Sequence, residues 1–359
     1  MPFCLRKCNY CSFYSINYNI SLLESFIKQI KNEITYYKNY YNFKPHSIYF
    51  GGGTPSLMPV KQLDEIIQLI SNPKQSSVKE ITIEINPYKL SNKLLKEYSQ
   101  IGINRYSFGI QSMINSELKI LGRLHNNNDI SKLYSEQLLN NNYNFSYDII
   151  YGLPNQTLSD LEITINELLK IPPSHFSIYC LSLEKDVPLY KEISNIPNDE
   201  TLENMYFTIK EKLESANYLQ YELSSFAKNN NQSIHNTAYW SDKYYIGLGP
   251  SASGYLPSFR YTNINNVENY CNIPINNIQS ITEVSTSEHQ KEYIITGLRK
   301  TKGIEIKQFN HKFNTDFKIK YSKEITTLLK NNLIIVNDEY IKINPKYYFI
   351  SNEVLCEFI

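Results

Sequence analysis

Long hydrophobic runs are what this sequence lacks first: none approaches the ~18 apolar residues that a membrane-spanning helix needs. A basic-then-apolar leader is missing as well, because a cysteine motif stands in its place. Charge of one sign is missing too, with 36 Lys and Arg against 35 Asp and Glu, so no global field draws in nucleic acid or an anionic membrane surface. Cysteine is sparse, and six residues in 359, three of them clustered, do not make a disulfide framework. Cys180, Cys271 and Cys356 stand alone and read as small buried apolar residues. A reducing, cytoplasmic compartment fits these absences, and the length suggests more than one domain. Asparagine runs at 126–128 and 229–231 read as surface loops and compositional drift.

What is present begins with Cys4-Leu5-Arg6-Lys7-Cys8-Asn9-Tyr10-Cys11, three cysteines at CxxxCxxC spacing. Thiolates are soft donors suited to zinc and to iron–sulfur clusters. Three are one too few for a closed structural zinc site. They suit a 4Fe–4S cluster with one iron left for a non-protein ligand. A zinc site completed by a distant residue, or three unrelated thiols, are the competing readings.

From there the pattern alternates. Apolar residues at three- and four-residue intervals predict helices over 22–41, 60–70, 90–100, 131–140 and 159–170. Between them, β-rich runs at 46–50, 81–86, 103–111, 145–151 and 175–183 predict strands. Strands alternating with helices at this spacing make right-handed βαβ units and a parallel sheet, whose ligands sit at the carboxyl ends of the strands. The unusual residues fall at those ends: Gly51-Gly52-Gly53-Thr54, Glu84, Gln111, Asp148 and Ser182. A glycine triplet lets a backbone pass close to a ligand, though a plain tight turn would use one as well. Glu84 and Asp148 read either as acceptors for ribose hydroxyls or as solvated strand ends. Their arrival on one rim favours a site.

These residues carry a resemblance. Pro2-Phe3-Cys4 through Cys11-Ser12-Phe13, Gly51-Gly52-Gly53-Thr54-Pro55-Ser56, Glu84-Ile85-Asn86-Pro87, the run 102–112, Leu121-Gly122-Arg123-Leu124-His125 and Asp148-Ile149-Ile150-Tyr151-Gly152-Leu153-Pro154 stand in order. Together they resemble the radical S-adenosylmethionine (SAM) superfamily, and within it the coproporphyrinogen III oxidase-like (HemN/HemW) family. The resemblance implies that Cys4, Cys8 and Cys11 bind three irons of a 4Fe–4S cluster whose fourth iron is chelated by SAM. It implies further that Gly52, Gly53 and Thr54 meet the methionyl end of SAM, and that Glu84, Gln111, Arg123, Asp148 and Ser182 line the rest of its pocket. A guanidinium such as that of Arg123 pairs well with a carboxylate.

Within that family, oxygen-independent coproporphyrinogen III oxidases carry a further cysteine two residues past the motif, where this chain has Phe13. The HemW haem chaperones have Phe there and a His-Asn-x-x-Tyr-Trp motif, matched by His235-Asn236-Thr237-Ala238-Tyr239-Trp240 with the only tryptophan. The resemblance therefore implies haem as cargo and an acceptor haem protein as partner, possibly a membrane-associated respiratory protein, with no nucleic acid and no membrane span. The oxidase and a radical SAM methyltransferase are the alternatives. His235 has two readings, an axial ligand of haem iron or a residue that ties down a loop.

The expected fold is α/β: a partial (β/α)6 radical SAM barrel over residues 1–185, a linker and small sheet over 186–280, and a winged-helix-like domain over 281–359. The last is read from helices over 288–300, 304–313 and 319–331 followed by a hairpin at 333–343. Glu305, Asp316, Glu324 and Asp338 interrupt its lysines, which argues for packing and against DNA binding. One departure stands out. The family has a β-branched strand just before Pro-Phe-Cys, and here Met1 stands next to that motif. The strand leading into Gly51 is then expected to be an unprotected sheet edge.

Overall fold

The computed structural model describes residues 1–41, 43–71, 78–88, 90–135, 143–272 and 278–359. Part of the helix expected over 131–140 lies outside them.

The chain opens with β1 (Phe3–Cys4), which pairs in parallel with β2 (Ile16–Asn17). Helix α1 (Ile20–Tyr40) follows, started by Asn19, whose side chain accepts from the amide of Leu22 at 3.0 Å. Its inner face carries Leu23, Phe26, Ile27, Ile30, Ile34 and Tyr37. Then β3 (Ser47–Phe50), α2 (Val60–Ile70), β4 (Glu80–Ile85), α3 (Asn92–Gln100) and β5 (Arg105–Gln111) alternate as expected. Helices α4 (Asn115–Ile120) and α5 (Asn127–Ser135) lead to β6 (Asn144–Tyr151). Helix α6 (Leu158–Leu169), held by a reciprocal Thr157–Asp160 capping box, leads to β7 (His175–Cys180).

Strands β3 to β7 run parallel in sequence order, and β3 stands at the sheet edge. In β4 and β5 all but one residue of each is buried, the pattern of a sheet covered on both faces. The sheet does not stop at residue 185. After α7 (Asp199–Ser215), β8 (Leu219–Glu222) and β9 (Ser225–Ala227) add to it antiparallel, in the order β7-β9-β8. Met205, Ile209, Leu213, Tyr218 and Phe226 join the main core, so packing continues across the expected domain boundary.

Helix α8 (Ile234–Trp240) carries the His-Asn-x-x-Tyr-Trp motif. A separate antiparallel sheet of β10 (Ser253–Leu256), β11 (Phe259–Asn263) and β12 (Ile278–Glu283) follows, with α9 (Val267–Asn272) between the last two. The C-terminal unit packs α10 (Thr286–Leu298), α11 (Ile306–Phe313), α12 (Phe317–Lys320), α13 (Ser322–Lys330) and α14 (Ser351–Cys356) around a second core with β13 (Ile304–Glu305), β14 (Ile334–Val336) and β15 (Tyr340–Ile343). The helix expected over 319–331 is two helices joined at Tyr321. Residues 304–305, expected to be helical, are a strand on β15. Among the described residues no helix is long and apolar enough to cross a membrane.

Glu33 on α1 anchors the region after α8. Its buried carboxylate accepts from Tyr270 Oη, from the Gly249 amide at 2.9 Å and from Asn263 Nδ2 at 2.8 Å. Glu33→Ala leaves these buried donors unmatched and is expected to cost about 2–4 kcal/mol, read by urea unfolding. A loss under about 0.5 kcal/mol would show that water replaces the carboxylate there.

Candidate functional site

The motif loop is fastened to the turn that follows α4. The Asn9 amide donates to Leu121 O at 3.0 Å and Asn9 Nδ2 to Ile120 O at 2.8 Å. Arg6 Nη2 donates to Gly122 O and to Arg123 O, both at 2.7 Å. Gly122 has φ 73°, and a Cβ there would meet the Asn9 side chain at 3.0 Å, so a side chain at 122 would push the loop away. Arg6 and Asn9 lie between the cysteines, and the thiols alone drew notice in the sequence.

The same turn aims Arg123 back at the cysteines. Its Nη1 lies 3.4 Å from Cys8 Sγ and its Nη2 donates to Gly109 O at 2.6 Å. Burial works against the guanidinium charge, but Tyr10 and Cys8 beside it outweigh that, and it stays cationic. Its Nε is buried without a hydrogen-bond partner.

On the opposite wall, Thr54 Oγ1 approaches Cys4 Sγ at 3.6 Å. Gly53 lies so close to the start of the chain that a Cβ would fall 2.6 Å from Phe3 O, and Gly52 has φ 102°. Glu84, at the end of β4, accepts from Tyr49 Oη at 2.8 Å and from the Gly52 amide at 3.1 Å. Burial pushes its carboxyl up to about 7. Asp148 on β6 accepts from Ser107 Oγ at 3.0 Å. Burial, partly offset by Arg105, pushes it up to about 6. Gln111 closes β5 at φ 69°, beside a register shift between Gly109 and Gln111, a strained backbone of the kind found at ligand sites. Gly52, Gly53, Thr54, Glu84, Gln111 and Arg123 thus stand at the carboxyl ends of β3 to β5 or on the turns beyond them, whereas Asp148, expected at a strand end, lies inside β6 with Ile149, Ile150 and Tyr151 after it. Ser182 is exposed on the loop after β7.

His235 lies elsewhere, along the outer edge of β3. Its Nδ1 bonds Ser47 Oγ at 2.9 Å, its Nε2 bonds Tyr239 Oη at 2.8 Å, and its ring stacks on Tyr49 at 4.8 Å. Burial pulls the imidazole down to about 4, so it is neutral at pH 7. Glu80, unnoticed in the sequence, caps α8 by accepting from the amides of Ile234 at 2.8 Å and His235 at 3.0 Å. Trp240 faces the C-terminal unit, 4.8 Å below the Arg299 guanidinium.

Among the described residues no three His, Cys, Asp or Glu side chains form a closed metal-ligand set, the cysteines included. They do share one electrostatic neighbourhood. Burial pushes the Cys11 thiol up, and Cys8 and Cys4 push it further. Three soft donors on one loop, a cation against one of them and its orphaned Nε match a group that brings its own charge and a carboxylate. The residues fit a cluster with an amino-acid-bearing ligand.

Residues 1–168 match the Radical SAM superfamily and residues 284–346 the HemN C-terminal domain. The chain is 30% identical to the haem chaperone HemW of Bacillus subtilis (strain 168) across 100% of its own length and 97% of that protein's. It is 34% identical to the HemW of Buchnera aphidicola subsp. Schizaphis graminum, over 75% of this chain and 72% of the relative. Coproporphyrinogen III oxidase (HemN) from Escherichia coli, described as a radical SAM enzyme, has the same fold. It gives a TM-score of 0.86 at 17% identity, covering 100% of this chain and 88% of that one.

The raised Glu84 and Asp148 carboxyls give a pH signature. The folded protein holds protons that the unfolded chain releases near 4.5 for Glu84 and 3.8 for Asp148. Their contribution is therefore fully present below those values and is lost as pH rises through about 7 for Glu84 and about 6 for Asp148. Urea unfolding at stepped pH is expected to show that decline, and Glu84→Gln to flatten it. An unchanged slope in the variant would mean that Glu84 keeps an ordinary carboxyl.

Proposed function

Since the chain belongs to the coproporphyrinogen III oxidase-like (HemN/HemW) family of the radical SAM superfamily, we propose that it is a haem chaperone. It binds haem and passes it to an acceptor haem protein, a membrane-associated respiratory protein being the class considered, and it works in the cytoplasm. Radical SAM membership implies a 4Fe–4S cluster and SAM. Cys4, Cys8 and Cys11 hold the cluster, and Arg123 takes the carboxylate of SAM with its free Nε. Glu84 and Asp148 accept from the ribose hydroxyls or the ammonium group, and Gly52 and Gly53 let the methionyl backbone approach. When bound, the cluster supplies one electron to the sulfonium of SAM. The protein's own part is to orient SAM and keep water out.

The observation that carries the chaperone reading over the oxidase is residue 13. The position two past the motif holds an exposed phenyl ring, 68% accessible, in place of a further thiol. The haem chaperone HemW of Bacillus subtilis, alike over its full length, points the same way. The oxidase reading rests on the shared fold, and a fold hosts more than one function.

Anaerobic assays on the reconstituted protein test the proposal. A Soret titration is expected to saturate near one haem per chain, and coproporphyrinogen III with SAM and reductant is expected to yield no decarboxylated product. Product without retained haem would reverse the assignment to the oxidase.

His235 would hold the haem iron through Nε2, giving up its bond to Tyr239. His235→Ala is then expected to weaken haem binding at least tenfold. Tyr239→Phe, which frees Nε2 and keeps the ring, is expected to tighten it. Unchanged affinity in both variants would leave His235 as the residue that ties α8 to β3.

A further inference from the structure

Alternate residues of paired strands share a face, and on β3 and β4 they form a column. Ser47 stands opposite Glu80 and Tyr49 opposite Thr82, and Glu84 follows two residues after Thr82. Helix α8 is docked at the foot of this column. Glu80 accepts from the amides of Ile234 and His235, and Tyr221 Oη accepts from the Ser233 amide at 3.2 Å. At the head stands Glu84, on the rim of the proposed SAM pocket.

Tyr49 lies between them and touches both ends. Its hydroxyl donates to Glu84 Oε1 at 2.8 Å, while its ring lies on the His235 imidazole with centroids 4.8 Å apart and planes at 21°. Gly51 leaves room for this arrangement. A Cβ there would fall 2.7 Å from the Tyr49 ring and 3.0 Å from Glu84 Oε1, so a side chain at 51 would force the pair to shift.

The two contacts of Tyr49 carry different chemistry. A ligand that sets hydroxyl or ammonium groups on Glu84 favours the ionised carboxylate, and a hydroxyl bonds an ionised partner roughly twice as strongly as a neutral one. At the other end, His235 Nδ1 meets Ser47 Oγ and Nε2 meets Tyr239 Oη. The tautomer with its proton on Nδ1, donated to Ser47, keeps the Nε2 lone pair for a metal. Glu80 fixes the backbone of α8 at this point, so the ring of His235 follows Tyr49 while the start of the helix stays in place.

We propose that Tyr49 is a positioning residue that couples the SAM pocket to the haem ligand. SAM on Glu84 tightens the hold on Tyr49, and Tyr49 keeps the His235 ring in the orientation that ligation through Nε2 needs. Each ligand thereby raises the affinity for the other, since such coupling is reciprocal. The proposal rests on the haem-chaperone reading with His235 as the ligand. Tyr239 lies on the far side of the imidazole and takes no part in the link.

Haem and SAM titrations of the anaerobic, cluster-loaded full chain test this, with the emission of Trp240 followed before haem is added. Trp240 is the only tryptophan and the last residue of α8, and its ring neighbours that of Tyr239, so its emission reports on this helix. In the parent, saturating SAM is expected to tighten haem binding about fivefold or more, and haem to tighten SAM binding by the same factor. SAM alone is expected to shift the Trp240 emission. Tyr49→Phe keeps the stacked ring and lacks the hydroxyl. Its haem affinity is expected to be the same with and without SAM, and its Trp240 emission to stay fixed. Tyr239→Phe is expected to keep the SAM effect on haem affinity. A SAM effect in Tyr49→Phe equal to the parent's would overturn the proposal, as would a parent that binds haem with an affinity SAM does not change. A parent that binds no haem, yet whose Trp240 responds to SAM only while Tyr49 keeps its hydroxyl, would remove the haem reading and leave the link from Glu84 to α8 standing.

Discussion

The clamp between the motif loop and the Ile120–Arg123 turn is the constraint on which the rest of the site depends. Three cysteines within eight residues fix their own spacing and nothing about what faces them. Arg6 and Asn9, placed between the cysteines, bind the carbonyls of that turn, and Gly122 has no side chain to hold them off. The turn follows α4, beyond the end of β5, so the thiols are registered against the carboxyl end of the sheet. Arg123 leaves the same turn and returns to Cys8. One set of hydrogen bonds to the carbonyls of that turn therefore sets both the position of the donors and the position of the cation opposite them.

The carboxylates on the other wall are costly to bury. Glu84 and Asp148 are held among hydroxyl and amide donors, and among the described residues no lysine or arginine is bonded to them. Burial makes both weak acids. Strain at Gln111 and the orphaned Nε of Arg123 add to the cost. Groups of this kind gather at functional sites, and the proposed ligand, with its ammonium, carboxylate and ribose groups, would answer each. Helix α8 extends the coupling outward. Glu80 from β4 caps its start, His235 grips β3 through Ser47, and Trp240 reaches Arg299 in the C-terminal unit. The motif of residues 235–240 is thereby a junction between the sheet edge and the last domain.

Much of this was legible in the sequence. The alternation of β-branched runs with 3.6-residue periodicity located five parallel strands, because the central strands bury both faces and each intervening helix carries one apolar face. Gly51–Thr54, Glu84 and Gln111 stood out because chemistry-bearing side chains fall where strands end, while Asp148 lies inside β6 and Ser182 is exposed beyond β7. Strands β8 and β9 escaped notice as members of the main sheet because a short antiparallel hairpin carries no sign of which sheet it joins. The helix expected over 319–331 broke at Tyr321, whose ring packs on Phe309 and Phe317, a tertiary demand that periodicity does not register. Tyr49, Glu80 and Asn9 were missed for one reason. Each acts through a partner 35 or more residues away, Glu84, His235 and Leu121 respectively, and sequence spacing says nothing about such pairs. His235 drew notice for its motif, and only its two neighbours show that both nitrogens are already engaged.

In the proposed arrangement the loop, the turn and the rim form a single cofactor site. The most direct measurement is electron paramagnetic resonance of the anaerobically reconstituted, dithionite-reduced protein, recorded with and without SAM, in the parent and in Arg123→Ala. The parent is expected to give a 4Fe–4S signal that SAM shifts, and Arg123→Ala the same unshifted signal with a SAM response needing at least tenfold more SAM. A tightly held zinc with no signal after reduction, or a cluster whose signal SAM never alters, would contradict it.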